Sequence, residues 1–193
     1  MCSTFENQLT FQQIIKTFAI SVVPERRPDK QTVRPTDETA VITKETLSLL
    51  KWGFKTDWSP KPLINARSET LFEKHSFREA HQNRCLIPAS AWFEYRKEEA
   101  DKFKNRITIK SVDQFAMAGI IANEHFCILT CAPHPEIAHI HNRMPVLIAP
   151  NAYDQWLDTA IPTQDLSKLL APPQNIAFEV SEEKPAQTQL KLF

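Results

Sequence analysis

A chain of 193 residues with 42% hydrophobic and 24% charged residues suits one domain, which at that size buries roughly 70% of its extended surface. The formal net charge is zero, whereas a non-specific duplex binder is usually basic, so any nucleic-acid footprint is expected to be short and local. Only two glycines occur, Gly53 and Gly119, which rules out the glycine-rich phosphate loops of Rossmann and P-loop proteins.

No run of about 18 apolar residues is present, so no membrane span is expected. The start Met1-Cys2-Ser3-Thr4-Phe5-Glu6-Asn7 lacks the cationic and apolar regions of a secretory signal. Cys2, Cys85, Cys127 and Cys131 form no C-x-x-C pattern, which favours a reduced, cytoplasmic setting. Cys127 and Cys131 sit in an apolar run and read as buried filler; neither a metal nor a cofactor is expected.

In chain order, Thr10-Phe11-Gln12-Gln13 reads as a capping box, followed by an apolar helical face of Ile14, Ile15 and Phe18. The proline-rich, charged stretch 22–39 reads as loop. Strands are expected at 40–43 and 47–54, then a helix over 68–80 with Leu71, Phe72 and Phe77 facing inward. From Arg84 the pattern turns to short strands at 85–87, 91–96, 106–110, 115–121 and 126–131, the spacing of antiparallel meanders. A further strand at 146–149, short helices at 152–159 and 165–170, and a last strand at 176–180 follow. These elements predict a single domain over 1–193, with a core of 2–180 and a polar tail over 181–193 that frays. The class is α+β: mostly antiparallel sheets curled toward a barrel and flanked by short helices.

Four short segments can carry chemistry. Methionine aminopeptidase removes Met1 when the second residue is small, so a mature chain would begin at Cys2 with an amine and a thiol on adjacent carbons. An α-amine has a pKa of about 7.7–8.0, so a useful fraction is unprotonated near neutrality. Such an aminothiol condenses with an aldehyde and closes to a five-membered thiazolidine; the bland alternative is that Cys2 is an arbitrary second residue. In Pro62-Leu63-Ile64-Asn65-Ala66-Arg67, Asn65 both donates and accepts hydrogen bonds, and Arg67 offers a planar fork for phosphate. Equally, this is an Asn turn with a surface arginine. In Ala91-Trp92-Phe93-Glu94-Tyr95, period-two alternation puts Trp92 and Glu94 on one face and Phe93 in the core. A Glu94 enclosed by aromatics would have its pKa raised into the range useful for acid–base work; an exposed strand glutamate would not. His141, in Ile140-His141-Asn142-Arg143-Met144-Pro145, is suited to proton transfer near pH 7, with His139 sharing its face. His75, His81, His125 and His134 have no comparable setting and read as surface residues. Alone, His141 reads better as a structural residue.

Taken in order, Met1-Cys2, Trp52-Gly53, Asn65-Ala66-Arg67, Arg84-Cys85-Leu86-Ile87-Pro88-Ala89, Phe93-Glu94, Gly119 and His141-x-Arg143-Met144-Pro145 resemble the SRAP family, the SOS-response-associated peptidase domain proteins. The resemblance runs from Cys2 to about Val180. It implies a protein that processes abasic sites, with the mature Cys2 forming a thiazolidine cross-link to the ring-opened aldehyde in single-stranded DNA. It further implies that Asn65 positions the amine, that Glu94 is the general acid–base and that His141 assists proton transfer at the opened sugar. Arg67 and Thr130 would contact backbone phosphates and Trp58 would pack on DNA, with methionine aminopeptidase as the maturing partner and a monomer as the default state. The chain departs from the family's usual Met-Cys-Gly-Arg start, reading Cys2-Ser3-Thr4. Tyr95 stands where Trp is common, and Ser90-Ala91 where Asp-Gly is common. Two other readings stay open: a non-catalytic single-stranded-DNA-binding paralogue, and a cysteine autopeptidase or amidohydrolase using Cys2 with His141.

Overall fold

The computed structural model describes residues 2–27, 30–99 and 101–183. The N-terminal part comprises β1 (Phe5–Glu6), α1 (Phe11–Thr17), β2 (Thr32–Val33), β3 (Glu38–Thr43), β4 (Thr46–Trp52), β5 (Phe54–Thr56), β6 (Ser59–Leu63) and β7 (Asn65–Arg67). The central strands are β8 (Arg84–Ala89), β9 (Ala91–Glu98), β10 (Asp101–Ile109), β11 (Phe115–Ala122) and β12 (His125–Cys131). The last part holds β13 (Met144–Pro145), β14 (Leu147–Ile148), α2 (Tyr153–Leu157) and β15 (Phe178–Glu183).

Five of these strands close on themselves. Going round the ring, β4 pairs β3, β3 pairs β8, β8 pairs β11, β11 pairs β12, and β12 returns to β4. A second sheet runs in the order β15-β10-β9-β1-β2. The mostly antiparallel, barrel-forming α+β architecture expected of the sequence is therefore present. The meander is not purely antiparallel, however: β12 pairs in parallel with both β4 and β7, which brings segments distant in sequence to one strand.

The two sheets share a continuous chain, since β8 of the barrel leads through Ser90 into β9. Ser90 anchors the bend: its backbone N–H donates to the Glu6 carbonyl at 2.7 Å, and its hydroxyl accepts from the Gln8 N–H at 3.2 Å. Phe5, fully buried, packs edge-on against Trp52 with ring centroids 5.2 Å apart. Trp52 in turn stacks on Phe126, so the start of the chain is pinned to the barrel. Burial of one such side chain contributes about 1.5–3 kcal/mol.

Local differences from the sequence expectations have physical causes. The capping box of α1 is formed, Thr10 accepting from Gln13 N–H and Gln13 accepting from Thr10 N–H. The loop expected over 22–39 contains β2 and the start of β3. Residues 68–80 do not form one helix. Leu71 and Phe77 are buried as expected, but Lys74 between them is extended (φ −76°, ψ 122°) and separates two single 3-10 turns, Ser68–Thr70 and His75–Phe77. The strand expected at 146–149 is shortened to β14, with β13 lying just before it, and the helix at 165–170 is a kinked 3-10 segment, Thr163–Leu170. The buried Arg84 caps the end of α2, donating to the carbonyls of Trp156 at 2.6 Å and Asp158 at 2.5 Å. Beyond Val180 the chain continues in β15, where Ser181, Glu182 and Glu183 pair with Arg106, Asn105 and Lys104, so these three residues are sheet and not tail. The rest of the expected tail lies outside the described residues. Among those residues no helix is long and apolar enough to cross a membrane.

Both glycines are required where they stand. Gly53 has φ +112°, a left-handed conformation costly for other residues, and turns the chain from β4 into β5. Gly119 lies where β8, β11 and β12 crowd together: a Cβ there would come within 2.9 Å of both the Cys127 carbonyl and the Cys85 sulfur, with Ile87 closer still. Gly119→Ala is therefore expected to lower stability by about 1–3 kcal/mol through overpacking, measured as a lower denaturant midpoint at unchanged m value.

Candidate active site

The site is built on β9, and the register of β1 decides what faces it. Phe5 lies opposite Trp92 and Glu6 opposite Ala91, and the Phe93 N–H donates to the Thr4 carbonyl at 3.0 Å. Antiparallel pairing carries the preceding residues back along β9, so Cys2 arrives at Glu94 and Tyr95. Cys2 is fully buried, and its thiol lies 3.6 Å from the Thr4 carbonyl. Burial pushes the thiol pKa far above its ordinary value, and the Glu94 charge raises it further. At neutral pH this sulfur is a thiol.

Asn65 reaches the same point from the barrel. The parallel pairing of β7 with β12 sets Asn65 beside Ile128, and the Trp52 indole N–H holds the preceding turn by donating to the Ile64 carbonyl at 2.8 Å. The Asn65 amide Nδ2 donates to the Cys2 carbonyl at 2.7 Å. Its Oδ1 is buried with no hydrogen-bond partner among the described residues.

Glu94 is 2% exposed. Desolvation pushes its carboxyl up to about 7, the outcome expected of an enclosed strand glutamate and not of an exposed one. The Nδ1 of His141 lies 3.9 Å from Glu94 Oε2. The Arg143 backbone N–H lies 3.0 Å from that Nδ1 and the Arg143 carbonyl 3.3 Å from it; the shorter contact favours a proton on Nε2. Partial burial holds the imidazole below the ordinary histidine value, in keeping with a neutral ring. Glu94, Tyr95, His139 and His141 line one open cleft of about 550 Å³, so His139 does share the histidine face.

Cys2, Asn65, Glu94 and His141 thus converge. Of the three residues expected to touch DNA, Arg67 is exposed two residues beyond Asn65. Trp58 is 70% exposed at the turn between β5 and β6, but it lines a separate hollow with Phe54, Lys55 and His75. Thr130 corrects the expectation: it is fully buried, its hydroxyl donating to the Ala66 carbonyl at 3.4 Å, so it presents no surface to a phosphate. Its carbonyl accepts from Arg143 at 2.5 Å.

Arg143 is the residue that the motif reading left without a role. Its guanidinium forms two parallel bonds to Glu69, at 2.7 and 2.8 Å, while holding Thr130. The hydrogen bond from Arg143 keeps the Glu69 carboxyl below its usual range. This fork clamps the loop bearing His141 to the turn that follows Asn65. The signal lay in the pair Asn65-x-Arg67-x-Glu69 and His141-x-Arg143, which only the fold brings together. Among the described residues, no group of three or more His, Cys, Asp or Glu is placed to hold a metal ion.

The burial of Glu94 has a measurable consequence. The folded chain retains the carboxyl proton to about pH 7, whereas the unfolded chain releases it near the ordinary 4.5. Between those values the unfolded state binds fewer protons, so stability falls as pH rises, by on the order of 3 kcal/mol in all. Glu94→Gln is expected to remove that part of the slope, seen by comparing denaturant unfolding of the two proteins from pH 4.5 to 7.5.

Comparison with known proteins identifies the family. The sequence profile of the SOS response associated peptidase (SRAP) family matches residues 1–185. The chain is 32% identical over 207 residues to the abasic site processing protein YoqW of Bacillus subtilis, covering 94% of this chain and 92% of that one. It is 30% identical to the abasic site processing protein YoaM of the same organism, covering 89% and 86%. A crystal structure of a Bacteroides thetaiotaomicron protein superposes with a TM-score of 0.80 over 93% of this chain and 91% of that one; at 23% identity, this likeness concerns the fold alone. With the family profile spanning nearly the whole length, the chain belongs to the SOS response associated peptidase (SRAP) family.

Proposed function

We propose that this chain processes abasic sites: its mature Cys2 traps the ring-opened sugar aldehyde of single-stranded DNA as a thiazolidine. The observation that carries the reading is the 2.7 Å bond from Asn65 Nδ2 to the Cys2 carbonyl, made beside a buried glutamate whose pKa is raised to about 7. A fixed N-terminal residue next to a carboxyl poised near neutrality is what imine chemistry at pH 7 requires. The abasic site processing proteins YoqW and YoaM, similar along most of their length, support the same substrate.

The chemistry follows from the protonation states. With Met1 removed by methionine aminopeptidase, the Cys2 amine attacks the aldehyde carbon and gives a carbinolamine. Asn65 Oδ1, a buried acceptor left over beside Cys2, is suited to orient the amine N–H. Glu94 in its acid form donates a proton to the departing hydroxyl, and water leaves as the imine forms. The resulting carboxylate then takes the proton from the Cys2 thiol as sulfur adds to the carbon of the imine, which is protonated because its nitrogen keeps one amine hydrogen, and the ring nitrogen is left neutral with that hydrogen. One water is lost overall, and Glu94 returns to its acid form. Because burial keeps the sulfur protonated, a base is needed at the second step, and the same carboxyl fills both roles. His141, neutral with a proton on Nε2, is suited to hand protons to and from the sugar oxygens. Arg67 and Trp58 are proposed to grip the strand outside the cleft, Trp58 by base stacking without sequence readout.

The test is incubation of the Met1-processed chain with single-stranded DNA carrying one abasic site. A covalent product surviving denaturing electrophoresis is expected, and Cys2→Ala should abolish it. A product undiminished by that substitution, or no product with the unaltered chain, overturns the reading. Glu94→Gln should slow product formation by about 10²–10⁴-fold. The unaltered chain should lose rate above pH 7 as Glu94 surrenders its proton, and the variant should lack that alkaline limb.

A further inference from the structure

The hairpin of β9 and β10 extends beyond the site as a two-stranded arm. Its register pairs Lys97 directly with Lys102 and, one rung nearer the turn, Glu98 with Asp101. Like charges directly opposite each other on adjacent strands repel, so neither rung is favourable by itself. The neighbouring cations are already engaged. Arg96 binds Glu98 at 2.5 Å and Glu182 at 2.9 Å, and Lys104 binds Glu183 at 2.9 Å. Among the described residues, neither Lys97 nor Lys102 has a carboxylate within ion-pair distance.

The two rungs differ in where they lie. Both lysines line the cleft that holds Glu94 and His141, whereas Glu98 and Asp101 do not. The cleft opens around the end of the arm, so residues of both alternation sets, Arg96 and Lys97, contribute to its wall. Its lining contains a single carboxylate, Glu94, largely protonated below pH 7, against Lys97 and Lys102, Arg96 being paired with Glu98 and Glu182. In a chain of zero net charge, this segregation puts positive charge where a substrate strand would leave the reacting centre.

Building on the proposed abasic-site reading, we propose that the Lys97–Lys102 rung binds a backbone phosphate of the DNA strand, on a nucleotide flanking the trapped one. The repulsion between the two ammonium groups is relieved when a phosphate oxygen sits between them, and the rung then acts as a preformed anion seat. Lys97 stands three positions along the strand from Glu94, a backbone rise of about 10 Å, which sets the rung toward a neighbouring nucleotide of the strand.

The test is a Lys97→Ala, Lys102→Ala double variant compared with a Lys16→Ala, Lys168→Ala control, which removes the same charge from exposed positions elsewhere. Binding of an intact single-stranded oligonucleotide is measured by fluorescence anisotropy from 50 to 200 mM salt. The rung variant should show a slope of log affinity against log salt shallower by about 0.7 and an affinity at 50 mM salt several-fold weaker, with the control matching the unaltered chain. Equal slopes in all three proteins, or equal losses in the rung variant and the control, overturn the proposal. Thermal unfolding without DNA separates folding from binding: relief of the repulsion predicts a midpoint no lower in the rung variant. A selective loss of slope in a protein whose unaltered form makes no cross-link would support the phosphate seat while refuting the thiazolidine chemistry.

Discussion

The pairing of the first few residues with β9 is the constraint on which the site depends. Phe5 is anchored against Trp52 and in register with Trp92, and the Thr4 carbonyl is held by the Phe93 N–H. These contacts leave Cys2 no position other than beside Glu94. A slip of one residue in that register would turn the Phe5 ring away from the barrel and withdraw Cys2 from the carboxyl. The nucleophile's placement is thus a property of sheet geometry and aromatic packing, with the asparagine fixing its remaining freedom.

Burial then sets the electrostatics of the cluster. The thiol, the carboxyl and the imidazole are each shifted toward the uncharged form by loss of water. A site of mostly neutral groups is inexpensive to enclose, and each group remains able to accept or release a proton once a substrate arrives. A bidentate ion pair near it, Arg143 with Glu69, lies to one side and ties together the two loops that carry His141 and Asn65.

Much of this was legible from local pattern. Alternation along Ala91–Tyr95 put Phe93 in the core and left open whether Glu94 was enclosed, which the burial of both faces of β9 decides, and the capping box at Thr10 formed as written. The strand runs from Arg84 onward appeared because β-branched and apolar residues alternate there over short, evenly spaced stretches. What local pattern could not supply was pairing at long range. The parallel partners of β12 and the meeting of Cys2 with β9 join segments tens of residues apart, and nothing in either segment names the other. The stretch 68–80 failed for a different reason. Its apolar residues do reach the core, but a single extended residue, Lys74, divides them into two turns, and periodicity alone does not register such a break. Thr130 failed because a hydroxyl on a strand reads the same from sequence whether it faces solvent or a neighbouring arginine.

The complete enclosure of Cys2 bears on the timing of maturation. The strand that covers the chain's beginning is synthesised about ninety residues after it, so on a ribosome adding 5–20 residues per second the first residues stay uncovered for several seconds or more. If Met1 is removed as the proposed chemistry requires, that interval is when its removal meets no covering strand. Once β9 has emerged and the sheet has closed, an aminopeptidase would have to wait for the edge to open again.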